Sequence, residues 1–227
     1  SGIASFVWFS APVPQGTPLE EVFASGLEEN ATILPAFLKQ GKRDGQGKQL
    51  YTKGGVILTE EGAGYLANDI GMKTEIDLRG HDECFGIDGS PAGKGVAWYN
   101  IHATGYDGIQ NKPGRESTAR CLKFFLDEKN YPIDIHCIGG QDRTGTLAFL
   151  LNALLGVSEE ELYLDWECSA FWNQALDFRH DFSFDRLMKS FQKWPGNTIN
   201  EQVESYVLSL GFTPEDIQRL RDIMLEK

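Results

Sequence analysis

Short apolar stretches alternate with longer amphipathic ones along most of the chain after Leu50. Lys73 to Leu78 reads as a strand, and Val96 to His102 alternates, with Val96, Trp98 and Asn100 on one face and Ala97, Tyr99 and Ile101 on the other. Ile133 to His136 is a third, shorter strand. Ahead of these, an extended piece ends at Gly54-Gly55, Val56-Ile57-Leu58 follows, and Thr59 opens a helix that runs to about Ile70 and stops at Gly71. Pro113 to Lys129 reads as a helix carrying Cys121, Leu122, Phe124, Phe125 and Leu126, and Thr144 to Leu155 as an apolar helix ended by Gly156. A glycine-rich loop fills the interval between the first two strands, through Gly95.

Strands and helices in this order predict an α/β layered fold with a largely parallel central sheet flanked by helices. The final third is helical. Ser158 with Glu161 and Thr198 with Glu201 match the capping box, and Thr213-Pro214 places a cap before a proline at the first helical position. These C-terminal helices are expected to pack as a bundle on one face of the sheet. Residues 1–49, with Pro12, Pro14 and Pro18 ahead of short helical stretches, are read as an N-terminal extension packed on a single catalytic domain spanning 50–227.

The 227 residues are 41% hydrophobic, enough to bury a full core, and no apolar run is long enough to cross a bilayer, so no integral membrane contact is expected. Compartment is not readable, and export with a leader removed stays open. A formal charge of −12 argues against nucleic acid or an anionic membrane as main partner. Any anion site must therefore be locally positive within a negative envelope. Cys84, Cys121, Cys137 and Cys168 lie far apart, with no C-x-x-C pair and no zinc spacing. Neither metal nor other cofactor is called for. Cys84, Cys121 and Cys168 read as small buried hydrophobes, although disulfides stay open if the protein is exported. Oligomeric state is not readable.

Chemistry concentrates in His136-Cys137-Ile138-Gly139-Gly140-Gln141-Asp142-Arg143-Thr144-Gly145, where a cysteine follows a strand and an arginine precedes an apolar helix. Backbone N–H groups of Ile138, Gly139, Gly140, Gln141, Asp142 and Arg143 can curl around an anion, and the helix amino terminus adds positive potential. The same field favours a thiolate, making Cys137 a competent nucleophile. The planar fork of Arg143 can donate two parallel hydrogen bonds to phosphoryl oxygens.

This segment resembles the HCxxGxxR(S/T)G signature of the protein tyrosine phosphatases. Glu75-Ile76-Asp77-Leu78-Arg79 resembles the D-L-R strand end of the bacterial branch that includes dual-specificity, phosphoinositide and phytase-like phosphatases, and Leu155 to Trp166 is similar to the segment after the catalytic helix there. The resemblance covers about Leu50 to Lys227. It implies a three-layer α/β fold, a phosphocysteine intermediate on Cys137, phosphoryl binding by Arg143, donation from Thr144 to the departing thiolate, and support of the loop by His136. It also implies a general acid on a mobile loop about thirty residues before the cysteine. Asp107, in Thr104-Gly105-Tyr106-Asp107-Gly108, fits that position, and its flanking glycines would let the loop close. Asp142, inside the phosphate loop, is the competitor. Asp77 and Arg79 read as a structural ion pair, His102 as structural, and Trp166, Phe171 and Trp172 as core aromatics.

The expected substrates are phosphorylated proteins or small phosphorylated molecules, most naturally phosphotyrosine or dual-specificity substrates. Phosphoinositides and inositol polyphosphates are the alternative, and other cysteine-loop chemistry, such as arsenate reduction or sulfur transfer, is a further one. An inactive phosphate-binding module is the non-enzyme alternative, disfavoured because binding needs no nucleophile. In the bacterial branch the loop residue before the aspartate is often lysine; Gln141 stands there, which favours aryl phosphates over polyphosphorylated inositols.

Overall fold

Period-two alternation sorts the side chains of three short parallel strands onto two unlike faces. The computed structural model describes residues 51–52, 55–56, 63–84, 86–137, 140, 142–168 and 183–225. Residues 1–49, and with them the expected N-terminal extension, lie outside the described residues, as do Phe171 and Trp172. The chain divides into two compact units, one drawn from Ser1–His102 and Lys129–Ile138, the other from Ala103–Glu128 and Gly139–Lys227.

In the first unit, β1 (Tyr51–Thr52) and β2 (Gly55–Val56) form a small antiparallel pair. A helical segment with a π turn at Tyr65–Asp69 follows, and Gly71, at φ 69°, ends it where the sequence predicted. β3 (Thr74–Asp77) is central, with β4 (Ala97–Asn100) and β5 (Ile133–His136) parallel on either side. Register places Thr74, Ala97 and Ile133 side by side, and likewise Ile76, Tyr99 and Ile135, on one face. The other face carries Glu75 with Trp98 and Asp134, then Asp77 with Asn100 and His136. Every residue of β3 is buried, two carboxylates included, so this face must satisfy its charges internally. Along β4 the exposed residues are Ala97 and Tyr99, as their shared face predicts. Ile101 departs from that face pattern: it lies past the strand end, donates its N–H to Asp77 O at 2.8 Å, and is buried.

The second unit is helical. α1 (Lys112–Phe124) is capped by the Asn111 side chain, which accepts from Gly114 N at 2.8 Å, with Pro113 in the first turn. It ends at Phe124 rather than the expected Lys129; Phe125 closes it by donating to Leu122 and Lys123 carbonyls, and a separate 3₁₀ turn spans Glu128–Asn130. α2 (Arg143–Leu154) is apolar on every side and buried from Thr146 through Leu154, as its sequence demands. Gly156, at φ 84°, lets its N–H reach Ala153 O and that of Val157 reach Asn152 O, a Schellman closure. α3 (Glu159–Cys168), α4 (Ser183–Phe191), α5 (Ile199–Leu208) and α6 (Pro214–Met224) follow, with α2 packing on α3 and α5. Ser158 and Glu161 form the predicted capping box. The second predicted box is only half made: Thr198 accepts from Glu201 N, but the Glu201 carboxylate takes the N–H of Asn197. Thr213 forms a full box with Asp216. Aromatic edges knit this core, with Phe191 5.8 Å from Phe149 and 5.5 Å from Tyr206. The α/β class, the parallel sheet and the helical C-terminal region agree with the sequence reading.

Candidate active site

β5 ends at His136 and delivers Cys137, a buried thiol, at the carboxyl edge of the sheet. Parallel strands all point their carboxyl ends the same way, which is where such sheets gather ligand sites. His136 Nδ1 lies 3.2 Å from the Cys137 carbonyl oxygen, and its Nε2 lies 2.9 Å from Glu75 Oε1 and 3.9 Å from Asp77 Oδ1. The second oxygen of Glu75 accepts from the Ser90 hydroxyl, and Ser90 Oγ in turn accepts the Ala92 N–H at 3.1 Å.

Burial alone would strip the proton from His136. The hydrogen bond to Glu75 and the charges of Asp134, Glu75 and Asp77 outweigh it and push the ring up to about 9. Burial pushes the Asp134 carboxyl up to about 7. Burial also opposes the charge of Asp77, but Arg79 overrides it and holds that carboxyl below its ordinary value. The pair is bidentate, at 2.8 Å and 2.6 Å, and buried on both sides, so Asp77 and Arg79 are a structural ion pair as expected. Donor atoms of Glu75, Asp134 and His136 lie within 4.8 Å of one another. Within this cluster Glu75 and His136 are joined by a direct hydrogen bond.

In the second unit, Arg143 is the first residue of α2, preceded by Asp142. Thr144 is buried, and its hydroxyl has no hydrogen-bond partner among the described residues. Gly140 holds φ 71°, a conformation that glycine adopts without strain. Ile138, Gly139 and Gln141 lie outside the described residues.

Asp107 sits on a 3₁₀ turn, Tyr106–Gln110, and its exposed carboxylate is gripped by Arg186 of α4 at 2.8 Å and 3.2 Å. Tyr106 lies between the two acid candidates: its hydroxyl donates to Asp142 Oδ1, its N–H donates to Thr146 Oγ1 at 2.8 Å, and its ring lies 5.3 Å from the Arg186 guanidinium. Gly105 has a packing role as well. Gly105 has an extended backbone, but a Cβ there would stand 3.1 Å from the Asp142 carbonyl carbon and 3.3 Å from Arg143 N. Close approach of two backbones favours the glycine. The positive φ, 55°, falls instead on Tyr106.

Cys84 and Cys121 are buried free thiols, and burial pushes Cys121 up to about 12, the state of an inert core cysteine. The Cys168 side chain lies outside the described residues. His102 is exposed. Trp166 is buried, as a core aromatic should be, with its ring 5.9 Å from that of Tyr106. Glu75, Ser90, Tyr106 and Arg186 escaped notice as site residues in the sequence. One signal was there: two acidic residues at alternate positions of an otherwise buried strand.

Three parallel strands in an open sheet together with helices define an α/β protein. A sequence model of the tyrosine phosphatase family matches residues 55–226, and the chain belongs to that family. Membership implies a phosphatase, a hydrolase of phosphorylated substrates. No curated protein matches the chain at a significant level. Among the described residues, no helix is long and apolar enough to cross a membrane.

Proposed function

We propose that the protein hydrolyses phosphate monoesters, phosphotyrosine or dual-specificity substrates first among them, through a phosphocysteine on Cys137. The observation that carries this reading is the placement of Cys137 at the end of β5 and of Arg143 at the start of α2, within the segment that matches the family. Cys137 attacks phosphorus as a thiolate and the ester oxygen leaves. Arg143 and the loop amides of Ile138 to Arg143 neutralise the equatorial oxygens, an electrostatic contribution of about 10²–10³ in rate per well-placed donor. Thr144, whose hydroxyl is buried without a partner among the described residues, donates to the sulfur as water splits the intermediate. His136 holds the start of the loop.

Asp107 protonates the leaving oxygen in this reading. Its ion pair with Arg186 is exposed on both sides, and exposed pairs hold only about 0.2–1 kcal/mol, so the carboxylate can leave Arg186 for the substrate. Asp142 is the competing acid. Asp77-Leu78-Arg79 supports a place in the bacterial branch, with 50–227 as the catalytic domain and 1–49 as its extension. The test is para-nitrophenyl phosphate turnover without added metal. Wild type turns over, Cys137→Ser is inactive, and Arg143→Lys loses about 10²-fold or more because the fork is gone. Turnover by Cys137→Ser would remove the basis of the mechanism.

A further inference from the structure

The glycine-rich loop between β3 and β4 contributes Ser90, the outer member of a chain of hydrogen bonds that ends on the candidate nucleophile. Its two ends are fixed. The Ala92 N–H can only donate, and does so to Ser90 Oγ at 3.1 Å; the Cys137 carbonyl can only accept, from His136 Nδ1 at 3.2 Å. Between them, Ser90 has its own proton left to give Glu75 Oε2, and His136 Nδ1 must carry hydrogen to reach the carbonyl. Only one proton has a choice of seat, the one shared by Glu75 Oε1 and His136 Nε2 at 2.9 Å.

Three groups on the same face decide where it sits. Asp77, on β3, lies 3.9 Å from His136 Nε2, Asp134 lies two residues back on β5, and Arg79 is already engaged by Asp77. Negative charge facing the ring favours the proton on nitrogen, and the ring's elevation to about 9 agrees. Ser90, by donating to the other oxygen of Glu75, stabilises that carboxylate as an anion and so completes the pair.

We propose that Ser90 and Glu75 are positioning residues for the reaction: they hold His136 as a doubly protonated ring that clamps the Cys137 carbonyl and places a positive charge one residue from the sulfur. This rests on the assignment of Cys137 as nucleophile. It gives the β3–β4 loop a part in catalysis without contact with substrate, and it explains why a central strand tolerates a buried glutamate. A ring protonated on Nδ1 alone would keep both hydrogen bonds, with the second proton on Glu75, but would place no positive charge beside the sulfur.

Nitrogen-15 NMR of the histidine-labelled full chain near pH 7 is the direct test, with the His136 signals identified by their loss in His136→Asn. Both ring nitrogens of His136 should show protonated shifts in wild type, and Glu75→Gln should return one of them to the unprotonated range. Turnover of para-nitrophenyl phosphate should lose about tenfold in kcat in Glu75→Gln and in Ser90→Ala with KM little changed, and Ser90→Thr should recover most of it. A singly protonated His136 in wild type, or wild-type kcat in Ser90→Ala, overturns the proposal, and both readings remain decisive if Glu75→Gln does not fold. Failure of the nucleophile assignment looks different: iodoacetamide would leave residue 137 unlabelled, or Cys137→Ser would stay active.

Discussion

Tyr106 donates its hydroxyl hydrogen to Asp142, a residue 36 positions later, while its sequence neighbour Asp107 is held by Arg186. Both acid candidates are thus fastened to one turn of chain, but in different ways. Asp142 is tied to a residue whose own backbone is pinned by Thr146, whereas Asp107 faces solvent in an exposed ion pair. The basic limb of a pH–rate profile reports the group that must be protonated. Asp107→Asn is expected to flatten that limb. Asp142→Asn and Tyr106→Phe should keep it while lowering kcat/KM by about three- to tenfold through a less ordered loop. Loss of the limb in Asp142→Asn alone would exchange the two roles.

Gly105 lets its backbone pass close to that of Asp142 and Arg143. An alanine there would press its Cβ to within 3.1–3.3 Å of Asp142 and Arg143 main-chain atoms, which cannot move without moving the start of α2. Gly105→Ala is therefore expected to cost about 1–3 kcal/mol in stability and to depress kcat beyond what that loss explains. Gly114→Ala, whose Cβ would fall 2.1 Å from the Gly108 carbonyl oxygen, should be worse still. Gly64→Ala meets only an Asn68 side chain at 3.8 Å and should be neutral or gain about 0.5–1 kcal/mol. Urea denaturation of the three variants, alongside turnover, checks this order.

How much of this was legible in the sequence depended on how far apart the partners are. β3, β4, β5 and α2 were readable because a strand or helix writes its period into consecutive residues, and the Cys137 to Arg143 loop because its parts are contiguous. Glu75 with His136 spans 61 positions, Ser90 with Glu75 spans 15, and Arg186 with Asp107 spans 79. Such pairs leave no local period. The acidic pair in β3 hinted at something to satisfy but could not say by what. The close approach at Gly105 was likewise not legible, because whether a glycine supplies a positive φ or a near approach depends on what the fold brings beside it.

The charged face of the sheet should make stability depend on pH in a definite direction. Asp77 is held below its ordinary 3.8, so its contribution is present above that value and is lost as pH falls through the lowered one. Asp134 is raised from 3.8 to about 7, so the stability it favours is complete below 3.8 and lost as pH rises through 7. His136 is raised from 6.5 to about 9, so its contribution is complete below 6.5 and lost as pH rises through 9. The urea midpoint should therefore be highest at about pH 4–6 and fall steadily towards pH 9. Asp134→Asn removes the buried carboxylate while keeping its shape, and should abolish the fall between about pH 4 and 7. A wild-type midpoint that rises from pH 5 to 8 would contradict the assignment.

Substrate choice follows from charge. The chain carries a formal −12, and the proposed phosphate loop from Ile138 to Arg143 offers one cationic side chain, Arg143, with Gln141 and Asp142 before it. On the proposed mechanism, one phosphoryl dianion is matched by Arg143 and the loop amides. Each additional phosphate on the same substrate would need its own cation at the rim and would otherwise meet a negative field. An aryl monophosphate presents a single dianion and an apolar body, and so escapes that penalty. Phosphotyrosine peptides and para-nitrophenyl phosphate should therefore exceed inositol hexakisphosphate in kcat/KM, by about tenfold or more at low salt, and the margin should narrow as salt screens the repulsion. Gln141→Lys should raise turnover of the inositol substrate relative to the aryl one. Phosphate-release assays across this panel decide it; higher catalytic efficiency on the inositol substrate in wild type would reverse the order.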